Sequence, residues 1–149
     1  MDPFSALSVA ANIVQFVVYG INIVSKGHQL YKSADGSLIE NAELEEATAR
    51  LRQLTRAFQE SLYQSLPRGS SDQGDQALQK ICDKCAAVSQ EMMEKLEKLK
   101  VSKNQPHKKW KSLRQALKSV WSKDKIEEIA ERLESLRMEL DSHVLMSIR

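Results

Sequence analysis

The residues of this chain that could do chemistry are few, and the best candidates are two cysteines. Cys82 and Cys85 have the CxxC spacing that zinc sites and thiol redox sites use. A structural zinc site needs four ligands, and the sequence has neither a second CxxC nor paired histidines at ligand spacing. Cys85 falls on the apolar stripe of a strongly helical segment and Cys82 lies beside it. We therefore expect both thiols to pack in a core.

Other motifs that carry chemistry are missing from the sequence. His28, His107 and His143 are scattered, and we expect them to be surface or partly buried side chains. The chain has no Gly-rich phosphate loop, no HExxH and no GxSxG. The sequence therefore predicts a protein that is not an enzyme and that has no cofactor and no metal.

The composition predicts an all-α fold, because the chain has only 5 glycines and 3 prolines in 149 residues and is rich in helix-forming residues. A chain of this length forms one domain with a real core, and its two cysteines suggest a reducing intracellular setting. We predict a single domain, 1–149, folded as a bundle of about five helices. The predicted helices cover residues 3–33, 37–66, 75–102, 107–121 and 123–147.

Several residues mark where these helices begin. Asp2 is a predicted N-cap with Pro3 at the first helical position, and Ser37 to Glu40 has the form of a capping box. Ser122 or Asp124 is predicted to start the last helix. The second, third and last helices each have a single apolar stripe, as expected of outer helices in a bundle. The predicted core positions on these stripes are Leu44, Ala47, Leu51, Leu54, Phe58, Leu62, Leu78, Ile81, Cys85, Val88, Met92, Leu96, Leu99, Ile126, Ile129, Leu133, Leu136, Leu140 and Val144.

The first helix differs from the others, because residues 4–25 contain no charged side chain. Its polar residues recur at spacings of three and four, which on a helix forms one narrow stripe, here called the polar seam. The polar seam consists of Ser8, Asn12, Gln15, Tyr19 and Asn22. The surface is apolar on all other sides, so the first helix is predicted to lie at the centre of the bundle with the others around it. Its apolar residues include Phe4, Leu7, Val9, Ile13, Val14, Phe16, Val17, Val18, Ile21 and Val24.

This segment is open to more than one interpretation. A secretory signal peptide is disfavoured, because the start is acidic and no small-residue cleavage site follows. The segment is long enough to span a bilayer, although a regular polar seam suits water or a partner better than lipid. The pattern is also compatible with a helix that is buried in the bundle. Such a helix could also leave the bundle and insert, with several copies turning their seams toward a shared aqueous lumen.

Half of the basic charge lies in one fifth of the chain, since residues 95–125 carry 11 basic and 2 acidic side chains. A solvated helix face, a nucleic-acid contact or an anionic-lipid contact would each account for this cluster. The acidic segments on either side weaken the field, and Trp110 and Trp121 lie on the apolar stripe, so nucleic acid is not expected. The candidate lipid contacts are Lys108, Lys109, Lys111, Arg114 and Lys118.

Four stretches carry a family resemblance. The opening MDPFSALSVAA, with VQF at 14–16, resembles the start of HeLo-like N-terminal domains of fungal NOD-like (STAND) receptors. ENAELEE at 40–46, KSLRQALKSVW at 111–121 and the Leu- and Glu-rich stretch 126–140 look similar to the same family. The resemblance implies a helical bundle that serves as the effector end of an immune or allorecognition receptor. A nucleotide-binding domain would follow in cis if the chain is part of a larger protein.

The same resemblance implies a cytoplasmic domain that self-associates on activation and moves to the plasma membrane, where its first helix disrupts the bilayer in programmed cell death. Under it the membrane-active segment would be Phe4 to Val24, and an Asp at Val14 or Val17 is predicted to abolish membrane activity. The alternative is a non-lytic module that docks another receptor or a downstream death executor. That module would bind a partner without making liposomes leak.

Overall fold

A computed structural model describes residues 2–32, 41–66, 73–103 and 120–148 of the chain. These residues form four long helices, Pro3–Lys32 (α1), Asn41–Ser65 (α2), Gln73–Lys103 (α3) and Lys123–Ile148 (α4). The helical boundaries agree with the predictions for the first, third and last helices to within two residues. The predicted helix 107–121 and the capping box at 37–40 lie outside the described residues, apart from Val120 and Trp121 at the end of that helix.

Two predicted helix starts are confirmed. The Ser5 backbone N–H donates to Asp2 Oδ1 at 2.7 Å, which is the bond an N-cap carboxylate makes with the third helical residue. That bond and a second one from the Ser5 hydroxyl lower the pKa of Asp2. At α4 the Lys125 N–H donates to Ser122 Oγ at 3.2 Å, so Ser122 rather than Asp124 is the cap.

The four helices form a ring rather than a layer around a central helix. α1 packs against α2 and α4, α3 packs against the same two helices, and α1 and α3 face each other diagonally with little contact. The described helices therefore do not surround α1 as the sequence predicted: its main neighbours among them are α2 and α4. Part of the apolar surface of α1 is exposed.

The core consists of the stripes predicted from the sequence. Of the predicted positions on α2, α3 and α4, all are buried except Ala47 and Val144, which pack half-buried against the core. Phe16 of α1 meets Phe58 of α2 edge to face, with ring centroids 5.5 Å apart. Trp121 is buried where α4 begins, as predicted, and Trp110 lies outside the described residues.

Polar contacts hold α3 to its two neighbours. Between α2 and α3 the Thr55 and Ser89 hydroxyls are 2.7 Å apart, and Ser89 is fully buried. Between α3 and α4 Lys84 pairs with Glu139 at 3.1 Å, and Glu91 pairs with Arg132. These contacts link α3 to α2 and to α4, in addition to the apolar core that all four helices share.

Candidate functional site

The CxxC pair lies inside the bundle. Cys82 and Cys85 are both buried and both reduced. Burial raises the pKa of each thiol to about 12, with a smaller contribution from Asp83 at Cys82 and from the neighbouring Cys82 at Cys85. A thiol that keeps its proton at neutral pH is a poor nucleophile and a poor metal ligand, so these residues serve as core side chains. Within the described ranges no group of three or more His, Cys, Asp or Glu side chains is placed to hold a metal ion.

The unusual surface of the molecule is on α1. By length and composition α1 is the one helix in the described part of the chain that could cross a bilayer, over Pro3–His28. In its most apolar stretch of 18 residues, only 39% is buried inside the bundle. A core helix of a soluble protein passes the same test, and such a helix would be mostly buried. An N-terminal signal sequence also passes it. In α1 the apolar composition is combined with a face that is open to solvent.

The apolar residues of α1 divide between two faces. The buried members of the predicted membrane-active set are Val9, Ile13, Phe16, Val17 and Val24, and Ile21 is half-buried. The exposed members are Phe4, Leu7, Val14 and Val18. Phe4 is 85% exposed and Val18 is 51% exposed, which is unusual for side chains that gain about 1.5–3 kcal/mol when fully buried. The sequence prediction of a helix apolar nearly all round is confirmed, but its outer face lies open to solvent.

The polar seam follows the edge of α1 that faces α2. The Ser8 hydroxyl is 3.4 Å from the Ser61 hydroxyl of α2. Tyr19 is half-buried, and its pKa is raised by burial and by the nearby Glu46 of α2. Asn12 is also half-buried, whereas Gln15 and Asn22 are exposed. The resting bundle thus covers part of the seam with α2.

The opposite edge of α1 faces α4. A Cβ on Gly20 would lie 3.1 Å from Leu133 Cδ1, and a Cβ on Gly27 would lie 3.6 Å from Ile126 Cδ1. Both pairs are separated by seven residues on each helix, so α1 and α4 run antiparallel in a constant register. The same register puts Met138 at the level of Gln15 along the axis of α1 and Leu145 at the level of Ser8.

Two further exposed apolar residues lie on α4. Met138 and Leu145 of α4 are 68% and 66% exposed and are seven residues, or two turns, apart. Leu133 faces α1, and at about 100° per residue Asp141 and Glu134 lie nearer to α1 on α4 than Met138 and Leu145 do. Met138 and Leu145 therefore point outward from the bundle. Sequence analysis did not single out these two residues, because isolated apolar side chains among charged ones give no periodic signal.

The five basic residues predicted to contact anionic lipid, Lys108, Lys109, Lys111, Arg114 and Lys118, lie outside the described residues. Comparison with known proteins adds no constraint: no protein-family model, curated protein or solved structure matches this chain.

Proposed function

We propose that this domain is a non-enzymatic effector that permeabilises membranes when several copies are brought together, with α1 as the segment that enters the bilayer. The observation that carries the proposal is the exposed apolar face on an uncharged helix long enough to span a membrane. The resemblance to HeLo-like effector domains supports the same role. Under this proposal the protein is cytoplasmic at rest and acts at the plasma membrane.

The position of α1 in the ring is suited to its release. Because residues 4–25 carry no charge, withdrawing this part of α1 breaks no ion pair. The other three helices are linked to one another by Thr55–Ser89, Lys84–Glu139 and Glu91–Arg132. A central helix, by contrast, could leave only if the whole bundle came apart.

Burial energies explain why clustering is needed. Ala10 and five larger apolar side chains of α1 are buried in the bundle, and at about 1.5–3 kcal/mol each the five larger ones contribute about 8–15 kcal/mol. A bilayer restores this burial and also covers the exposed face. A single inserted helix would leave the polar seam in lipid, whereas several copies turn their seams toward one another. Insertion of one copy is therefore unfavourable and insertion of a cluster is not.

The basic cluster in residues 104–119 is the part of the domain that we propose binds the membrane surface first. Lys108, Lys109, Lys111, Arg114 and Lys118 are the proposed contacts with anionic lipid, each worth about 1 kcal/mol near such a surface. They would bring the domain to the membrane before α1 enters it.

The test is dye release from liposomes with and without anionic lipid, using the 149-residue chain fused to an inducible oligomeriser. We expect leakage that requires clustering and anionic lipid and that Val14→Asp abolishes. Tyr63→Asp is the matched control, because Tyr63 is an exposed apolar residue on α2 and its replacement should leave leakage unchanged. Leakage that survives in a folded Val14→Asp protein would overturn the proposal.

A second candidate, a docking module, is favoured by one observation: the open face of α1 is available without any change of fold. A module of this kind would bind a partner through the exposed residues Phe4, Leu7, Val14 and Val18. It predicts binding that Val14→Asp weakens, together with intact liposomes under every lipid composition.

A further inference from the structure

The exposed apolar residues of α1 follow a regular spacing of their own. They alternate at intervals of three and four residues, as in a heptad repeat, which is the pattern of helices that pair along a seam. We call this row the outer stripe; its six positions are Phe4, Leu7, Ala11, Val14, Val18 and Ile21. The first five are exposed and Ile21 is half-buried. The outer stripe therefore gives α1 a second apolar face, on the side away from its buried residues.

The absence of charge around the outer stripe favours a second copy of α1 as its partner. Residues 4–25 are uncharged, so two outer stripes meet without like-charge repulsion. A helix that lies on a membrane surface relies on Lys and Arg beside its apolar residues, and this segment has neither. A partner helix with charged flanks would find no opposite charge on this segment. An uncharged helix with the same heptad spacing is the complementary partner, and α1 of another copy is such a helix.

The sizes of the side chains favour an antiparallel pair. In that arrangement each layer joins a position of one copy to a different position of the other. The layers are Phe4 with Ile21, Leu7 with Val18 and Ala11 with Val14. The smallest pair is at the centre and the layers widen evenly toward both ends, as two straight helices that cross require. A parallel pair would place Phe4 against Phe4 and would be wider at that end alone.

The charges at the two ends of the segment favour the same direction. Asp2 and Lys26 are the nearest charged residues on either side of it, and both are exposed. An antiparallel pair brings the Asp2 end of each copy to the Lys26 end of the other, whereas a parallel pair brings like charges together. The helix macrodipoles also attract one another only in the antiparallel arrangement.

We propose that the outer stripe of α1 binds the outer stripe of a second copy in an antiparallel pair with two-fold symmetry. Such a pair uses the same surface twice and therefore closes at two copies. The stripe is a single helix face about 26 Å long, so it buries less than the about 800 Å² per partner of a standard interface. The dimer is therefore weak, with a Kd on the order of 100 µM. This inference rests on the proposed function for the role of the pair, which is the first contact between clustered copies.

The geometry is tested by disulfide cross-linking of the full chain in solution, without lipid. Leu7→Cys and Val18→Cys each place one exposed thiol on the outer stripe, whereas the native Cys82 and Cys85 are buried. Position 7 of one copy lies beside position 18 of the other, but the two copies of position 7 are about 17 Å apart along the helix axes. A disulfide needs a Cα separation below about 7 Å. We expect a mixture of the two variants to form covalent dimers at least about tenfold faster than either variant alone, and Met138→Cys, which points outward from α4, gives the rate of chance collisions.

The strength of the pair is tested by sedimentation equilibrium. Leu7→Gln/Val18→Gln replaces two exposed residues of the outer stripe. Met138→Gln/Leu145→Gln is the matched control, because it replaces two exposed apolar residues on the outward side of α4. We expect the parent chain and the control to dimerise and the stripe variant to dimerise about tenfold or more weakly. Salt should change the Kd little, because the stripe itself is uncharged.

Three results contradict this pairing. The first is a parent chain that stays monomeric at about 1 mM. The second is a stripe variant that dimerises like the control; if it also loses binding to vesicles of phosphatidylcholine, lipid is the partner of the stripe. The third is Leu7→Cys that cross-links to itself faster than to Val18→Cys, which overturns the antiparallel arrangement.

The failure of this inference is distinguishable from the failure of the proposed function. The fused oligomeriser in the dye-release experiment brings copies together without the outer stripe. Leakage from the fused chain, with no pairing of the unfused chain in solution, refutes the pairing and leaves the proposed function standing. Pairing in solution without leakage from the fused chain does the reverse.

Discussion

Gly20 of α1 lies against Leu133 of α4 so closely that an added Cβ would be 3.1 Å from Leu133 Cδ1 and 3.3 Å from Cδ2. Leu133 is fully buried, so its side chain has little room to move away. Two turns further along, a Cβ on Gly27 would have its nearest neighbour, Ile126 Cδ1, at 3.6 Å, which is ordinary van der Waals contact. Of these two positions, Gly20 is where α1 and α4 approach more tightly.

The two glycines therefore respond differently to alanine. Ala is favoured over Gly in a helix by about 0.8–1 kcal/mol, so Gly27→Ala should raise the free energy of unfolding by about that amount. Gly20→Ala has the same advantage offset by crowding against Leu133, and we expect a change near zero or a loss of up to about 1 kcal/mol. Gly20→Val should cost about 1–3 kcal/mol. Urea denaturation of the three variants measures these differences, and equal stabilisation by both alanines would show that Leu133 yields freely.

Val14 and Val17 separate the function of α1 from its folding. Val14 is 43% exposed and Val17 is 1% exposed, although both belong to the same apolar segment. Val17→Asp buries an unpaired carboxylate and should lower the free energy of unfolding by several kcal/mol, whereas Val14→Asp should lower it by about 1 kcal/mol or less. The circular dichroism melting curve distinguishes the two. A Val14→Asp protein as unstable as Val17→Asp would mean that α1 is covered on both faces in solution.

The hydroxyl pair between α2 and α3 offers a third test. Thr55 Oγ1 donates to the Leu51 carbonyl at 2.7 Å and also lies 2.7 Å from Ser89 Oγ, in the buried side of the interface. Ser89→Ala and Thr55→Val should each cost about 1 kcal/mol, and the double variant should cost less than their sum by about 1 kcal/mol. Chemical denaturation of the four proteins gives this coupling energy. Strict additivity would mean that the two hydroxyls do not interact in solution.

The sequence predicted those parts of the fold that depend on periodicity. The stripe from Leu78 to Leu99 and the stripe from Ile126 to Leu140 were correct at every position, because a helix with one apolar face has only one way to bury it. The caps at Asp2 and Ser122 were correct for an equally local reason, since a cap is defined by the residue and its next three neighbours.

The position of α1 could not be predicted in the same way. A helix that is apolar on most sides is compatible with a central place or with an outer place that leaves one face open, and only the packing of the other helices decides between them. The register of α1 against α4 could not be predicted either, because the approach of Gly20 to Leu133 is a contact between distant parts of the chain.

The buried thiols make stability depend on alkaline pH. The pKa of Cys82 and Cys85 is raised by burial to about 12, whereas an unfolded cysteine titrates near about 8.5. Between these values the unfolded chain releases protons that the folded chain retains, so stability falls as the pH rises above about 8.5 and is unaffected by these groups below it. Each thiol contributes a slope of up to about 1.4 kcal/mol per pH unit. The variant Cys82→Ala/Cys85→Ala should lose this part of the pH dependence, and subtracting its urea midpoints from those of the parent between pH 8 and pH 10.5 isolates it. Identical pH profiles for the two proteins, or rapid labelling of the native thiols at pH 8, would mean that the cysteines are reachable from solvent and that α3 packs less tightly than its core stripe indicates.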